Sequence, residues 1–77
     1  MRAVAIPADL MESCRRRWQD FRVERVEVDG QIVLSASGTR DGTPEELSVA
    51  IPHRTGGEPW AVAFLVEGLR QTLRRAA

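Results

Sequence analysis

Apolar residues recur along this chain at helical spacing near both ends and at alternating spacing in between. From Pro7 to about Asp20 the apolar side chains fall within one arc of about 100°, which predicts an amphipathic helix. Asp9 and Glu12 have the spacing of a capping box, so we expect them to begin this helix. Its expected buried side comprises Leu10, Met11, Cys14, Trp18 and Phe21.

A β-hairpin is predicted next, around the Asp29-Gly30 dipeptide. A strict two-residue turn would pair Val28 with Gln31. It would then place Val26 and Val28 on the opposite sheet face from Ile32 and Leu34. A longer loop, with Gly30 in the left-handed conformation beside a bulge, would bring all four apolar residues onto one face. We therefore expect the bulged loop, with a second irregularity near Glu24 and with Arg25, Glu27, Val33, Ser35 and Ser48 on the solvated sheet face.

The rest of the chain predicts a third strand and a second helix. The segment from Gly38 to Glu46 is rich in turn-forming residues and is expected to be a loop. Alternation from Leu47 to Ile51 predicts a strand, and Pro59 is expected in the first turn of a helix that runs to Ala76. Residues 2–6 are predicted as either a short strand or a disordered lead-in.

These elements predict an α+β fold for residues 1–77, in the order α-β-β-β-α. We expect a three-stranded antiparallel sheet with both helices on one of its faces, forming a single domain. A chain of 77 residues buries a modest fraction of its unfolded surface, so its stability should be marginal.

The last predicted helix carries apolar residues on two sides. Its expected core stripe comprises Val62, Leu65, Val66, Leu69 and Leu73. Trp60 and Phe64, two of the chain's four aromatic residues, fall roughly opposite, and Gly68 continues their row at the same spacing. We expect Trp60, Phe64 and Gly68 to form a protein-binding row, flanked by polar contacts from Arg70 and Arg74. The alternatives are that the aromatics close the core against Trp18, or that they mediate a homodimer.

Charge and composition narrow the expected partners and compartment. Eleven arginines balance eleven acidic residues, which argues against non-specific binding to nucleic acid or to membranes. A secondary hypothesis is that the arginines of the two helices together bind an acidic or phosphate surface. They are Arg15, Arg16, Arg17, Arg70, Arg74 and Arg75. A single cysteine and the absence of a signal-peptide pattern predict a cytoplasmic protein. No stretch predicts a membrane span.

Residues capable of catalysis are few. His53 is the only histidine, and it is expected to be a solvated loop residue; the alternative is a general acid or base near Arg54 and Glu58. Cys14 is expected to be a buried, inert thiol. No metal-ligand spacing is present, so neither a metal nor another cofactor is expected.

The element order and several motifs resemble known families. The order resembles that of double-stranded RNA-binding domains, although Gly57-Glu58-Pro59-Trp60 carries no cation where those domains grip phosphates at the second helix. Val49–His53 and Leu69–Arg74 resemble segments of HicA-like ribonuclease toxins. The histidine that those toxins carry at the start of the middle strand is not found in Gly30-Gln31-Ile32.

In size and architecture the chain resembles small phage-encoded anti-CRISPR proteins, which implies a non-enzymatic inhibitor that docks on a host effector complex. We therefore expect a non-enzymatic protein that binds another protein, in its concrete form a phage or mobile-element inhibitor of a bacterial defence complex. The alternative is an RNA-binding module or a HicA-like ribonuclease.

Overall fold

The fold is a three-stranded antiparallel sheet with two helices on one face, as the sequence predicts. A computed structural model describes residues 4–53 and 57–75. The strands lie in the order β1-β2-β3, and both helices contribute to one core with the sheet. Residues 4–7 are neither helix nor strand. The elements are α1 (Ala8–Arg17), β1 (Gln19–Val28), β2 (Gln31–Arg40), β3 (Thr43–Pro52) and α2 (Gly57–Arg75).

The turn between β1 and β2 has two residues, so the expected bulged loop is wrong. Val28 pairs with Gln31, and both Asp29 and Gly30 have positive φ, at 50° and 72°. A turn of this kind matches the natural twist of a hairpin, and Asp-Gly is among the sequences that adopt it most readily. This register leaves Val26 and Val28 about half exposed, at 47% and 50%.

The same register turns two charged residues toward the helices. Arg25 lies opposite Leu34, and Glu27 lies opposite Ile32, so both belong to the core-facing side of the sheet. Their expected place on the solvated face is therefore wrong, whereas Val33, Ser35 and Ser48 do lie on that face. The irregularity in β1 falls between Gln19 and Arg22, and not near Glu24.

The expected loop from Gly38 to Glu46 is a second two-residue turn. β2 continues to Arg40 and β3 begins at Thr43, with Asp41 and Gly42 at φ of 51° and 79° between them. The polar residues that suggested a loop are paired strand residues. β3 also contains Pro44 and Pro52. The missing N–H of a proline is tolerated on an edge strand, and β3 lies at the edge of the sheet.

The first helix ends earlier than its apolar arc predicts. It stops at Arg17, Trp18 is extended, and β1 begins at Gln19, with Asp20 at positive φ inside the irregularity of that strand. Phe21 therefore lies on a strand, where its ring stacks on that of Trp18 at a centroid distance of 5.7 Å. The expected capping box does not form, because no side chain caps the helix at Pro7.

The core lies between the sheet and the two helices. A cluster of buried apolar residues joins α1, β2 and α2, and partly buried side chains from β1 and β3 surround it. Cys14 is fully buried, and burial raises the pKa of its thiol, as expected for an unreactive core cysteine. The buried cluster comprises Leu10, Cys14, Trp18, Ile32, Leu34, Ala36, Ala61, Leu65 and Leu69.

Candidate protein-binding face

Trp60 and Phe64 project from the side of α2 that faces away from the core. Their exposures are 66% and 56%, and their ring centroids lie 6.2 Å apart. The opposite side of the helix buries Ala61, Leu65 and Leu69 against the sheet and α1. We call Trp60 and Phe64 the aromatic pair. A helix whose core contacts are already complete has no structural need for two large apolar groups in solvent.

The aromatic pair does not close the core against Trp18. Trp18 is only 6% exposed and packs on Phe21, and its indole Nε1 donates a hydrogen bond of 2.6 Å to Glu45 Oε1. The aromatic side chains of the molecule thus form two separate pairs, one inside the fold and one outside. The core-closing alternative left open by the sequence is therefore excluded by the exposure of Trp60 and Phe64.

Gly68 packs toward the sheet and does not extend the aromatic pair into a flat row, and its expected role in protein binding stays a prediction. A Cβ at Gly68 would lie 2.7 Å from Leu47 Cδ2, which shows that this position faces β3. The absence of a side chain lets α2 approach the sheet closely. The expected core stripe of α2 was centred on its large apolar residues. The side that is buried lies nearer to Ala61, which brings Gly68 to its edge.

Charged and polar residues border the aromatic pair one to three turns along α2. Glu67 accepts hydrogen bonds from Gln71 and Arg74, each at 3.3 Å, and all three side chains are exposed. Arg74 is thereby positioned at the polar edge of this face. Arg70 is partly buried, and within residues 4–53 and 57–75 it forms no ion pair. Their expected role in binding stays a prediction.

The start of α2 is tied to the sheet by a cluster of charges that the sequence did not reveal. Arg25 contacts Glu58 through Nε at 3.0 Å and Nη2 at 2.8 Å, and Nη2 lies 2.7 Å from Glu27 Oε1. The Arg25 side chain is only 13% exposed. Two carboxylate partners raise the pKa of Arg25, and the hydrogen bond and charge of Arg25 lower the pKa of Glu27.

His53 lies beside this cluster and is exposed, as expected. Its Nε2 is 3.3 Å from Glu27 Oε1, and its backbone N–H donates to the carbonyl of Gly30. Of the two neighbours expected for an acid or base at His53, Glu58 is bound by Arg25. Arg54, its other expected neighbour, lies outside the described residues.

Comparison of the chain with protein families, with curated proteins and with solved structures gives no match. The resemblances to anti-CRISPR proteins, HicA-like toxins and RNA-binding domains therefore stay predictions. Neither described helix combines the length and the apolar character needed to cross a bilayer. Among residues 4–53 and 57–75, no three His, Cys, Asp or Glu side chains are grouped so as to hold a metal ion.

Proposed function

We propose that this chain is a binding module that docks on another protein through the aromatic pair of α2. The observation that carries this proposal is the exposure of Trp60 and Phe64 on a helix whose opposite side already packs the core. Residues at i and i+4 on a helix are the usual anchors when a helix enters an apolar groove. Tryptophan is also among the residues most enriched at interface hot spots.

The size of the aromatic pair favours a partner that encloses it. Two largely exposed aromatic rings offer on the order of 250 Å² of apolar surface, against about 800 Å² per partner in a stable interface. A flat contact between two copies across this pair would therefore be too small to persist. A groove that surrounds both rings would bury them fully and would also reach the polar edge formed by Glu67, Gln71 and Arg74.

The concrete form that we propose is inhibition by occlusion, as in the anti-CRISPR proteins that the chain resembles in size and architecture. A small protein with one anchored face can block a functional surface of a bacterial defence complex without any chemistry of its own. The partner that fits the aromatic pair is an apolar groove with polar rims of both charge signs. Such rims complement Glu67 and Arg74.

Site-specific photocrosslinking tests the proposed face. A photoreactive phenylalanine analogue at position 64 should form adducts with a partner protein in bacterial cells that express the chain. The same analogue at Ser48, on the opposite face of the sheet, is the matched control and should form none. Adducts at both positions in equal yield, or adducts with a second copy of the chain alone, would contradict the proposal.

Alanine substitution separates binding from folding. Trp60→Ala combined with Phe64→Ala should abolish the adduct formed from a probe at Ala63 and should change the free energy of unfolding by less than about 1 kcal/mol. Exposed side chains that pack mainly on each other contribute little to the core. A loss of several kcal/mol would show that the rings stabilise the fold, and it would remove the basis of the proposal.

A further inference from the structure

The structure brings together arginines that are far apart in the sequence. Arg17 at the end of α1, Arg40 at the end of β2 and Arg75 at the end of α2 line one cleft of about 260 Å³, together with Glu45 and Thr72. The sequence predicts joint action only for arginines of the two helices and gives no reason to include Arg40. Three guanidinium groups and one carboxylate leave this cleft with an excess of two positive charges.

The single carboxylate of the cleft is already engaged. Glu45 Oε1 accepts the 2.6 Å hydrogen bond from Trp18, and Glu45 Oε2 lies 3.5 Å from Arg40 Nη2. Within the described chain, neither Arg17 nor Arg75 has a carboxylate partner. The Nε of Arg17 is buried without any hydrogen-bond acceptor. This Nε is closed to solvent, and the guanidinium carbon of Arg17 lies 5.9 Å from the centroid of the Trp18 ring, a cation–π contact that leaves the charge of Arg17 without an anionic partner.

Neutralisation of the helix ends does not by itself explain these arginines. Cations near a helix C-terminus interact favourably with its dipole and often donate to its last carbonyls. In residues 4–53 and 57–75, no arginine side chain donates to a backbone carbonyl; the one side-chain bond of that kind joins Thr72 Oγ1 to Gly68 O at 2.9 Å. Arg40 is on a strand and lies outside this explanation.

We propose that the cleft of Arg17, Arg40 and Arg75 binds a phosphate group. Guanidinium groups match the geometry of phosphate oxygens, and several of them around one anion give charge-assisted hydrogen bonds. A second cleft of about 200 Å³ adjoins the first, since Glu45 and Thr72 line both, and Trp18, Leu47 and Leu69 contribute apolar walls. It provides room for an apolar group attached to the phosphate, so a phosphomonoester fits better than a free inorganic ion.

This site is independent of the proposed protein-binding face. The cleft contains neither residue of the aromatic pair, so each assignment can fail without the other. The Trp60→Ala and Phe64→Ala double variant should bind phosphate ligands as the wild type does. A single experiment on the cleft therefore does not depend on the identity of a protein partner.

Titration followed by NMR tests the proposal, with adenosine monophosphate and adenosine as the probes at constant ionic strength. The monophosphate should shift the Trp18 indole and Thr72 amide resonances in a saturable way, and adenosine should not. Arg40→Gln and Arg75→Gln should each weaken binding about tenfold, as expected for loss of a hydrogen bond to a charged group. Arg22→Gln removes an exposed arginine outside the cleft and should weaken binding less than about twofold.

The source of the phosphate is distinguished by a second probe. A single-stranded RNA oligomer is compared with the monophosphate. Much tighter binding of the RNA, lost in the Arg40→Gln and Arg75→Gln variants, would identify a nucleic-acid strand as the ligand. Equal affinity would identify a free phosphomonoester, and both outcomes support the site. Equal weakening by Arg22→Gln, equal binding of adenosine, or no saturable binding of either phosphate probe would overturn it.

Discussion

At the scale of single residues, Gly38 has the least room for a side chain among the glycines that the structure describes. A Cβ at this position would lie 2.5 Å from Trp18 Cβ and 3.3 Å from the carbonyl of Gln19. Neither neighbour can move away without shifting backbone, because Trp18 is buried at the junction of α1 and β1. Gly38→Ala should therefore lower the free energy of unfolding by about 2 kcal/mol, as measured by urea denaturation.

Gly68→Ala is the matched control for this prediction. Its added methyl group would meet Leu47 Cδ2 at 2.7 Å, but that atom is the end of a partly buried side chain that can rotate. Replacing a helical glycine by alanine also gains about 1 kcal/mol in helix propensity. The net change should be below about 1 kcal/mol. A loss at Gly68 as large as that at Gly38 would show that the helix-to-sheet contact is the more rigid of the two.

Arg25 makes the acid sensitivity of this protein predictable. Because the folded-state pKa of Glu27 is lowered, the stabilisation from its pairing with Arg25 is complete above the unfolded pKa of about 4.3 and is lost as pH falls through the folded pKa. Arg25→Met removes this contribution. The variant should melt at lower temperature than the wild type near neutral pH, and the gap should narrow below about pH 4.5.

Arg22→Met on the same strand shows whether the effect is specific. Arg22 faces the opposite side of the sheet, where its 3.5 Å pair with Glu24 is largely exposed and should contribute little. Its melting curve should follow that of the wild type at every pH. A gap between wild type and Arg25→Met that stays constant down to pH 3 would mean that Arg25 acts through packing and not through charge.

At the scale of elements, the two Asp-Gly turns fix which backbone amides are exposed. Because the residues beside a two-residue turn form a hydrogen-bonded pair, alternate residues of each edge strand point their N–H groups outward. The outward set is Val23, Arg25 and Glu27 in β1, and Glu46, Ser48 and Ala50 in β3. Pro44 and Pro52 occupy two further outward positions of β3, where no donor is lost from the ladder.

Hydrogen exchange measured by NMR tests this register residue by residue. The amides of Arg22, Glu24 and Val26 should exchange slowly, whereas those of Val23, Arg25 and Glu27 should exchange much faster. The bulged loop that the apolar pattern favoured would invert this alternation along β1. Slow exchange at Val23 and Arg25 with fast exchange at Glu24 would therefore contradict the register.

The hairpin also shows how far a sequence can predict this fold. The order of elements and the buried helix positions follow from apolar periodicity, since helices and strands repeat at different intervals. The register does not follow, because the preference to bury Val26 and Val28 conflicts with the local geometry of Asp29-Gly30. The structure adopts the register that the turn favours. This register turns Arg25 toward the helices, where its charge is compensated by Glu58. That pairing joins residues far apart in sequence, so no local pattern contains it.

The candidate sites divide in the same way. Trp60 and Phe64 were predictable because their position depends only on the rotation of one helix. The phosphate cleft was not, because it requires three elements to end at the same side of the molecule. The packing of Gly68 against the sheet could not be predicted for a related reason, since its neighbour Leu47 belongs to a different element.

At the scale of the whole molecule, exposed apolar residues occupy both outer layers. The aromatic pair lies on the helix layer, and Val26 and Val28 lie on the outer face of the sheet, with the core between them. The accessible surface is 5416 Å², against about 4,700 Å² expected for a folded protein of this mass. The molecule is also elongated, at 37 × 21 × 21 Å. A small core and a large surface place its stability at the low end for a folded domain.

This two-sided arrangement predicts that the two apolar surfaces behave independently. Val26→Thr with Val28→Thr keeps β-branched side chains on the strand, so stability should change by less than about 0.5 kcal/mol. Retention on a hydrophobic-interaction column should fall for this variant and for the Trp60→Ala, Phe64→Ala variant, and the quadruple variant should show the sum. Photocrosslinking from position 64 should survive the valine changes. If it does not, the partner must reach around the molecule to the sheet, and docking would then require both faces instead of the aromatic pair alone.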